Sequence, residues 1–458
     1  MRIAIERGLL LIALLVATGS ASLSIFSLVP DHAVLDMLFF AVLLVVFIFL
    51  FLKLEAPFYS PLFLFPYVYV FIFLVGLFAF EIIYGRAPAS EVAIHVVTGF
   101  LGLSIGILVG QYGCAPMIKR RFQSLKSSPN VKLLYGLAFV GFMAFFMMIG
   151  IKGVPILAHD IDQAKVGFYS GLGHLNVVYG LVPITAIAIL ADGIIRGDKR
   201  RVQIAHIIFL LSLLTMAVIG FRSLLIKNLI SYVVFLGLFQ RLKLSNYTVG
   251  FYGILLIAVA SWFGAYRRGN EGFHGVLNEL GITIGARTKA AELISINLDG
   301  ARSIDFSYFG DFQKLLPGKQ IGQNVDLKNS IYHNADAMPE LAGINPSIVG
   351  EALLAGGPSM VLFAPLIIGL SVAVLYSFAI KRLSNLFWPI LYAVVVSDLL
   401  GALASGIATR LPGLAIKFCS VLIVVFIYRL RFTFSGRGAG NYACNITIES
   451  HSMERRKQ

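Results

Sequence analysis

Long apolar runs separated by short polar clusters follow one another along the chain to about residue 430. A bilayer's hydrocarbon core is about 30 Å thick and a helix rises about 1.5 Å per residue, so one crossing takes about 20 mostly apolar residues. On that rule the pattern predicts about twelve membrane helices, near residues 8–28, 33–52, 62–84, 92–112, 133–151, 171–195, 202–220, 223–239, 247–264, 359–380, 385–404 and 413–430. The predicted fold class is an all-α polytopic membrane protein. Arg2 and Arg7 ahead of the first run, and small residues from Ala17 to Ala21, have the flavour of a signal peptide. The run stays apolar to Leu28, which favours a retained helix.

One connection breaks the rhythm. About eighty residues, 265–346, contain no span, and their basic residues (Arg267, Arg268, Arg287, Lys289, Arg302, Lys314, Lys319, Lys328) are nearly balanced by acidic ones. Residues 287–296 have helical character, with Ala290, Leu293 and Ile294 at matching spacing. Loops of this length are usually functional. After it, Pro346 can open a short helix, which Gly356, Gly357 and Pro358 would stop before the tenth span. The chain therefore divides into helices 1–9 (residues 1–264), one large extracytoplasmic loop (265–346), a re-entrant or surface helix with spans 10–12 (347–430), and a cytoplasmic tail (431–458).

Composition removes the soluble alternative. A chain of 458 residues would otherwise suggest about three domains. Only 13% of it is charged, against about 25% in soluble proteins, and 58% is apolar. Mean hydropathy is +0.86. The net charge of +14 would point to nucleic acid in a soluble protein. Here its carriers cluster in alternate connections: Lys53; Lys119, Arg120, Arg121, Lys126 and Lys132; Arg196, Lys199, Arg200 and Arg201; Arg241 and Lys243; Lys381 and Arg382; and the tail. That asymmetry puts both termini in the cytoplasm. The cysteines, Cys114, Cys419 and Cys444, form no C-x-x-C pair, which speaks against a disulfide framework or a thiolate zinc site.

Ionisable groups near hydrocarbon are costly and tend to be functional, and four outer groups stand out. In the first, Asp160 and Asp162 form a D-x-D pair, read either as helix caps or as metal ligands, with Lys152 and Lys165 as anion binders. In the second, Arg222 precedes a helix on which Ser223, Lys227 and Ser231 share one face. Lys227 pairs there either with Asp398 or with a lipid phosphate. The third holds Arg267 and Arg268 after Tyr266, as interface anchors or as a bidentate grip on phosphate that Arg410 completes from the far side. In the fourth, His333 and Glu351 are candidates for the base that takes a proton from a sugar hydroxyl, although a loop histidine is more often simply solvated.

Gly153-Val-Pro155-Ile before an outer loop ending in a basic residue, Gly220-Phe-Arg222, Tyr266-Arg267 and Pro346-Ser-Ile-Val-Gly350-Glu351-x5-Gly357 together resemble the Wzy-type polymerases of O-antigen and exopolysaccharide repeat units. The resemblance covers the chain from about residue 130. His333-Asn334 looks like an element of the related O-antigen ligases, with different onward spacing, and Lys165 stands where arginine is expected. The resemblance implies a GT-C-like, inverting, metal-independent hexosyltransferase of the bacterial inner membrane. It takes a glycan from undecaprenyl pyrophosphate and adds it to another lipid-linked unit on the periplasmic face. No cofactor and no nucleic acid is implied; a chain-length regulator is an implied partner. Lys165, Arg222, Lys227, Arg267, Arg268 and Arg410 would hold the pyrophosphate, and Glu351 or His333 would be the base. The rival expectations are a ligase-like transferase and a flippase for the same lipid-linked sugars, the latter disfavoured because the two halves share no internal repeat.

Overall fold

The structure is a computed structural model that describes residues 56–84, 90–114, 130–157, 171–219, 222–239, 306–315, 345–383, 385–437 and 441–448, with isolated positions among 164–168, 248, 275, 290–295 and 327. Among the described residues, seven helices are long and apolar enough to cross a membrane. They include α2 (Ser90–Leu108), α3 (Val131–Lys152), α4 (Gly173–Arg196) and α5 (Lys199–Ile219). The others are α8 (Pro358–Lys381), α9 (Phe387–Ser405) and α10 (Leu411–Arg429). Before α2 lies α1 (Pro61–Tyr84), after α5 lies α6 (Arg222–Leu238), and before α8 lies the short α7 (Ser347–Gly356). The chain is a polytopic helical membrane protein. Seven spans match seven of the expected ones, and α1 and α6 occupy two more places. The expected spans at 8–28, 33–52 and 247–264 lie outside the described residues.

Beyond the helices the chain carries one small sheet. Strands β1 (Leu430–Arg437) and β2 (Asn441–Ile448) form an antiparallel hairpin, in register from Leu430↔Ile448 to Arg437↔Asn441. The pattern had a period of two there, with Phe432 and Phe434 in one arm and Ile446 and Ile448 in the other. Its polar alternates hid the hairpin inside the tail.

Several helices carry large apolar side chains on the outside. On α3, Phe139 is 66% exposed, with Phe146 and Met147 beside it; on α5, Leu210 and Leu214 stand out, and on α10, Leu422 and Phe426. In water such stripes would drive aggregation. Against lipid tails they meet a matching solvent.

The chain forms two compact units. The first comprises Met1–Arg120, Val233–Lys381 and Val395–Ala415. Its core is the contact between α2 and α8. Gly102 and Gly106 on α2, with Gly110 in the π-helical turn that continues it (Val109–Cys114), form a small-residue stripe, and a Cβ on them would run into the backbone at Leu362 and Leu366 and into Leu370 and Ala373; Gly369 of α8 fits reciprocally against the Leu103 carbonyl. Lipid tails give helices little hydrophobic reason to associate, so close backbone approach through small residues supplies the packing. Tyr69 of α1 joins them: its hydroxyl donates to the Val96 carbonyl at 2.7 Å and its ring lies against Phe73 and Phe100.

The second unit comprises Arg121–Tyr232, Arg382–Val394 and Ile416–Gln458. Phe145, Met148, Phe168, Tyr179, Val182, Met216 and Ile219 make its apolar core. Tyr179 Oη is hydrogen-bonded to Thr215 Oγ1 at 2.7 Å, linking α4 to α5. A charged knot closes one end. Asp192, 1% exposed on α4, bonds Arg196 at 2.7 Å and Arg201 at the start of α5, and accepts the Tyr428 hydroxyl of α10 at 2.8 Å. Arg429 reaches Asn385 at 3.1 Å close by in sequence. The connections 196–201 and 382–386 and the end of α10 therefore share one side of the membrane, as the lysine and arginine pattern requires.

A leucine at Gly106 has no room. Gly106→Leu is expected to lower stability by about 1–3 kcal/mol, as overpacking does, read as a lower melting temperature of the purified protein in detergent. Gly136→Ala, where the space is open, is expected to leave it within a degree or so; equal melting of both variants would refute the close-packed seam.

Candidate functional site

Helix α7 is ten residues long, about 15 Å at the usual rise, too short to cross. Its start is bent in by Pro346 and by Ser347, whose φ of +64° is unusual for a residue with a side chain and costs on the order of 1 kcal/mol. Its end is set by Gly357, at φ +73°, whose N–H donates to the Leu353 carbonyl at 2.8 Å. Every residue from Ser347 to Leu354 is buried. Part of the covering comes from the long loop. Ala290, Ala291, Glu292 and Ile294 are helical and buried, and Ile294 with Ala291 fills the space that only hydrogen leaves open at Gly350.

Glu351 sits on this helix, 1% exposed. Its carboxylate reaches the turn between α9 and α10. The Ile407 N–H donates to Oε2, and the Ala408 N–H lies 3.1 Å from both oxygens. Gly406 makes this possible: at φ +90° it turns two successive N–H groups inward, and a side chain there would overlap the carboxylate itself. Such a concave pair of amides is a ready anion cradle. Gly406 also ends α9, its own N–H donating to the Ala402 carbonyl at 2.8 Å.

Arg410 closes the same turn. Its Nε donates to Ser405 Oγ at 2.8 Å, and Ser405 in turn donates to the Gly401 carbonyl at 3.0 Å. Asp398 and Glu351 both act on its charge, while burial lowers its pKa. One edge of the guanidinium is thus anchored, and the terminal amino groups have no hydrogen-bond partner among the described residues. That is the edge which grips a phosphate or carboxylate in bidentate fashion. On the loop side, residues 306–315 bring Tyr308 and Asp311. Asp311 is 1% exposed and adds negative charge near Glu351; the Tyr308 hydroxyl is buried with no hydrogen-bond partner among the described residues. Burial pushes the Tyr308 hydroxyl upward, and Glu351 adds to the effect.

Burial also dominates Glu351, which is pushed up to about 8 although the amides of Ala408 and Ile407 pull it down; Asp311 raises it further. The sign follows directly. The folded protein holds this proton more tightly than the unfolded chain, so the stabilisation is complete below the ordinary carboxyl value of 4.5 and is lost as pH rises toward about 8.

Of the sequence candidates, Glu351 and Arg410 fall together. Arg222 opens α6 and Lys227 follows on it, both counted with the second unit, whereas Asp398 belongs to the first. Along α6, Asn228 donates to Met216 Sδ of α5 at 3.2 Å and Tyr232 stacks on Phe209 of α5, while Ser231 turns back onto the Lys227 carbonyl at 2.9 Å. Lys165, Arg267, Arg268 and His333, and the pair Asp160 and Asp162, lie outside the described residues. Among the described residues no three His, Cys, Asp or Glu side chains gather as metal ligands would. The amide cradle at Gly406–Ala408, Ser405, Tyr308 and Asp311 were not anticipated. Their signal was Ser405-Gly406 breaking an apolar run just ahead of Arg410 and Pro412: a helix end at the membrane needs acceptors for its amides, and Glu351 is an acid on an otherwise apolar short helix. Set against known protein families, curated proteins and solved structures, the chain matches none of them.

Replacing the titrating group tests the electrostatics. Between pH 5 and pH 8 the melting temperature of the wild type is expected to fall more steeply than that of Glu351→Gln. Parallel profiles would mean that Glu351 does not titrate in that window.

Proposed function

We propose that the chain is a membrane glycosyltransferase that polymerises undecaprenyl-pyrophosphate-linked oligosaccharide repeat units on the periplasmic face of a bacterial inner membrane, with both termini cytoplasmic. The observation that carries the reading is the placing of a largely buried arginine, anchored at Nε and with no further side-chain hydrogen bond among the described residues, in the same turn that takes a buried carboxylate from a short helix next to a span. A pyrophosphate leaving group develops negative charge, and fixed donors in a water-poor site stabilise such charge without reorganising. Arg410 supplies one donor, with Arg267 and Arg268 of the same unit as further donors in this proposal; Arg222, Lys165 and Lys227 are cations whose contribution is tested separately. A base, Glu351 or His333, takes the proton of the acceptor hydroxyl as the new bond forms. The loop 265–346 covers the reaction and keeps water from the donor.

Loss of a single charge-stabilising donor lowers turnover by about 10²-fold or more. Arg410→Ala, Arg222→Ala and Arg267→Ala are each expected to leave single repeat units on the surface glycan and to remove polymer, read by gel electrophoresis of glycans from the native host. Deletion of the chain should give the same single-repeat band. Unattached polymer would instead indicate a ligase, and lipid-linked units retained inside the cell a flippase. Polymer of wild-type length in Arg410→Ala would overturn the role given to that residue.

A further inference from the structure

We infer that Glu351 is a positioning residue, not the base: its carboxylate holds the turn 405–410 in the shape that presents Arg410 to a pyrophosphate group. The inference rests on the transferase reading for its ligand, but on the turn's own geometry for its logic.

A general base needs a lone pair free to meet the incoming proton. Two backbone amides take two of the roughly four lone-pair sites of the Glu351 carboxylate, the Ala408 N–H at 3.1 Å from each oxygen and the Ile407 N–H on Oε2, which ties the group to the turn instead of leaving it to follow a substrate. The turn is built around that carboxylate. Gly406 adopts φ +90° and lacks the side chain that would displace it. Arg410 is four residues further on, and its own amide donates to the Ile407 carbonyl at 2.8 Å, so the peptide that Glu351 grips also anchors the start of α10. Ser405 Oγ then fixes the guanidinium at Nε. Moving the carboxylate would release Ile407 and Ala408, and with them the direction in which Arg410 points. Every link in this chain belongs to the first unit.

The two roles predict opposite rankings. A glutamine keeps the length of Glu351 and a carbonyl oxygen that can accept both amides. An aspartate keeps the acid but is one methylene too short to reach them. The test uses the full chain in lipid nanodiscs, with inorganic pyrophosphate as probe, alongside polymer formation in cells. Arg410→Ala is expected to abolish pyrophosphate binding. Glu351→Gln should weaken it by about 3–10-fold and Glu351→Asp by about 30-fold or more, in keeping with one or two lost charge-assisted hydrogen bonds. Polymer should follow the same order. Gly406→Ala, which leaves every acid and base in place, should weaken pyrophosphate binding as Glu351→Asp does, and this holds the test open if either Glu351 variant fails to fold. Near-normal polymer in Glu351→Asp with none in Glu351→Gln, and unchanged pyrophosphate binding in both, would make Glu351 the base and overturn the inference while leaving the transferase standing. If binding follows Gln above Asp but deletion of the chain leaves polymer intact, the positioning role stands and the polymerase reading falls.

Discussion

A membrane offers no water to a broken helix, so each backbone amide freed at the break has to find a partner inside the protein. The turn between α9 and α10 meets that demand with an acid from another helix. Glu351 accepts the amides of Ile407 and Ala408, and much else in the first unit follows from having to deliver it there. Helix α7 must be short and buried, it must begin at a residue with positive φ and end at Gly357, and it must be covered by part of the long loop. An ionised carboxylate taken from water is costly unless its oxygens are satisfied, so cradle and acid are each intolerable without the other. Removing one partner of such a pair exposes the full desolvation penalty of the group that remains.

The second unit solves a similar problem with side chains alone. Asp192 is almost fully buried, yet it has two arginines and a tyrosine hydroxyl around it. Arg196 and Arg201 stay about one third exposed, so their charge remains partly hydrated and the net gain from the pairs is modest. The benefit is geometric. Asp192, Arg201 and Tyr428 come from α4, α5 and α10, and the bonds hold the ends of these helices level. A buried charge that fixes register is a role with good precedent in helical proteins.

Much of the helical framework was legible because a span imposes a length and a polarity that the residues cannot hide. Where the prediction failed, two signals competed. In 430–448 the alternation of Phe432, Phe434, Ile446 and Ile448 was short and interleaved with polar residues, so the hairpin within the tail went unread. The stripe Gly102, Gly106, Gly110 went unread because a search for apolar length treats glycine as neutral, although the small side chain sets how close two helices come. Glu351 and Arg410 could be singled out, since charge near hydrocarbon is rare. Their connection could not, because it runs through the backbone of Ile407 and Ala408, and backbone amides leave no mark in a sequence except the glycine that orients them.

This difference bears on how an acid in such a protein is interpreted. Sequence alone makes every buried carboxylate near a reaction centre a candidate base, since only the residue type is visible. Geometry adds what the oxygens are already doing. Asp398 and Glu351 both bear on the charge of Arg410, but Glu351, pushed up to about 8 by burial, largely keeps its proton at neutral pH and adds little negative charge there. The amides of Ile407 and Ala408 hold the Glu351 carboxyl group on the turn. Ser405 does the complementary task by taking Nε. What results is a guanidinium fixed at Nε, the fork geometry that in proteins generally matches phosphate or carboxylate oxygens.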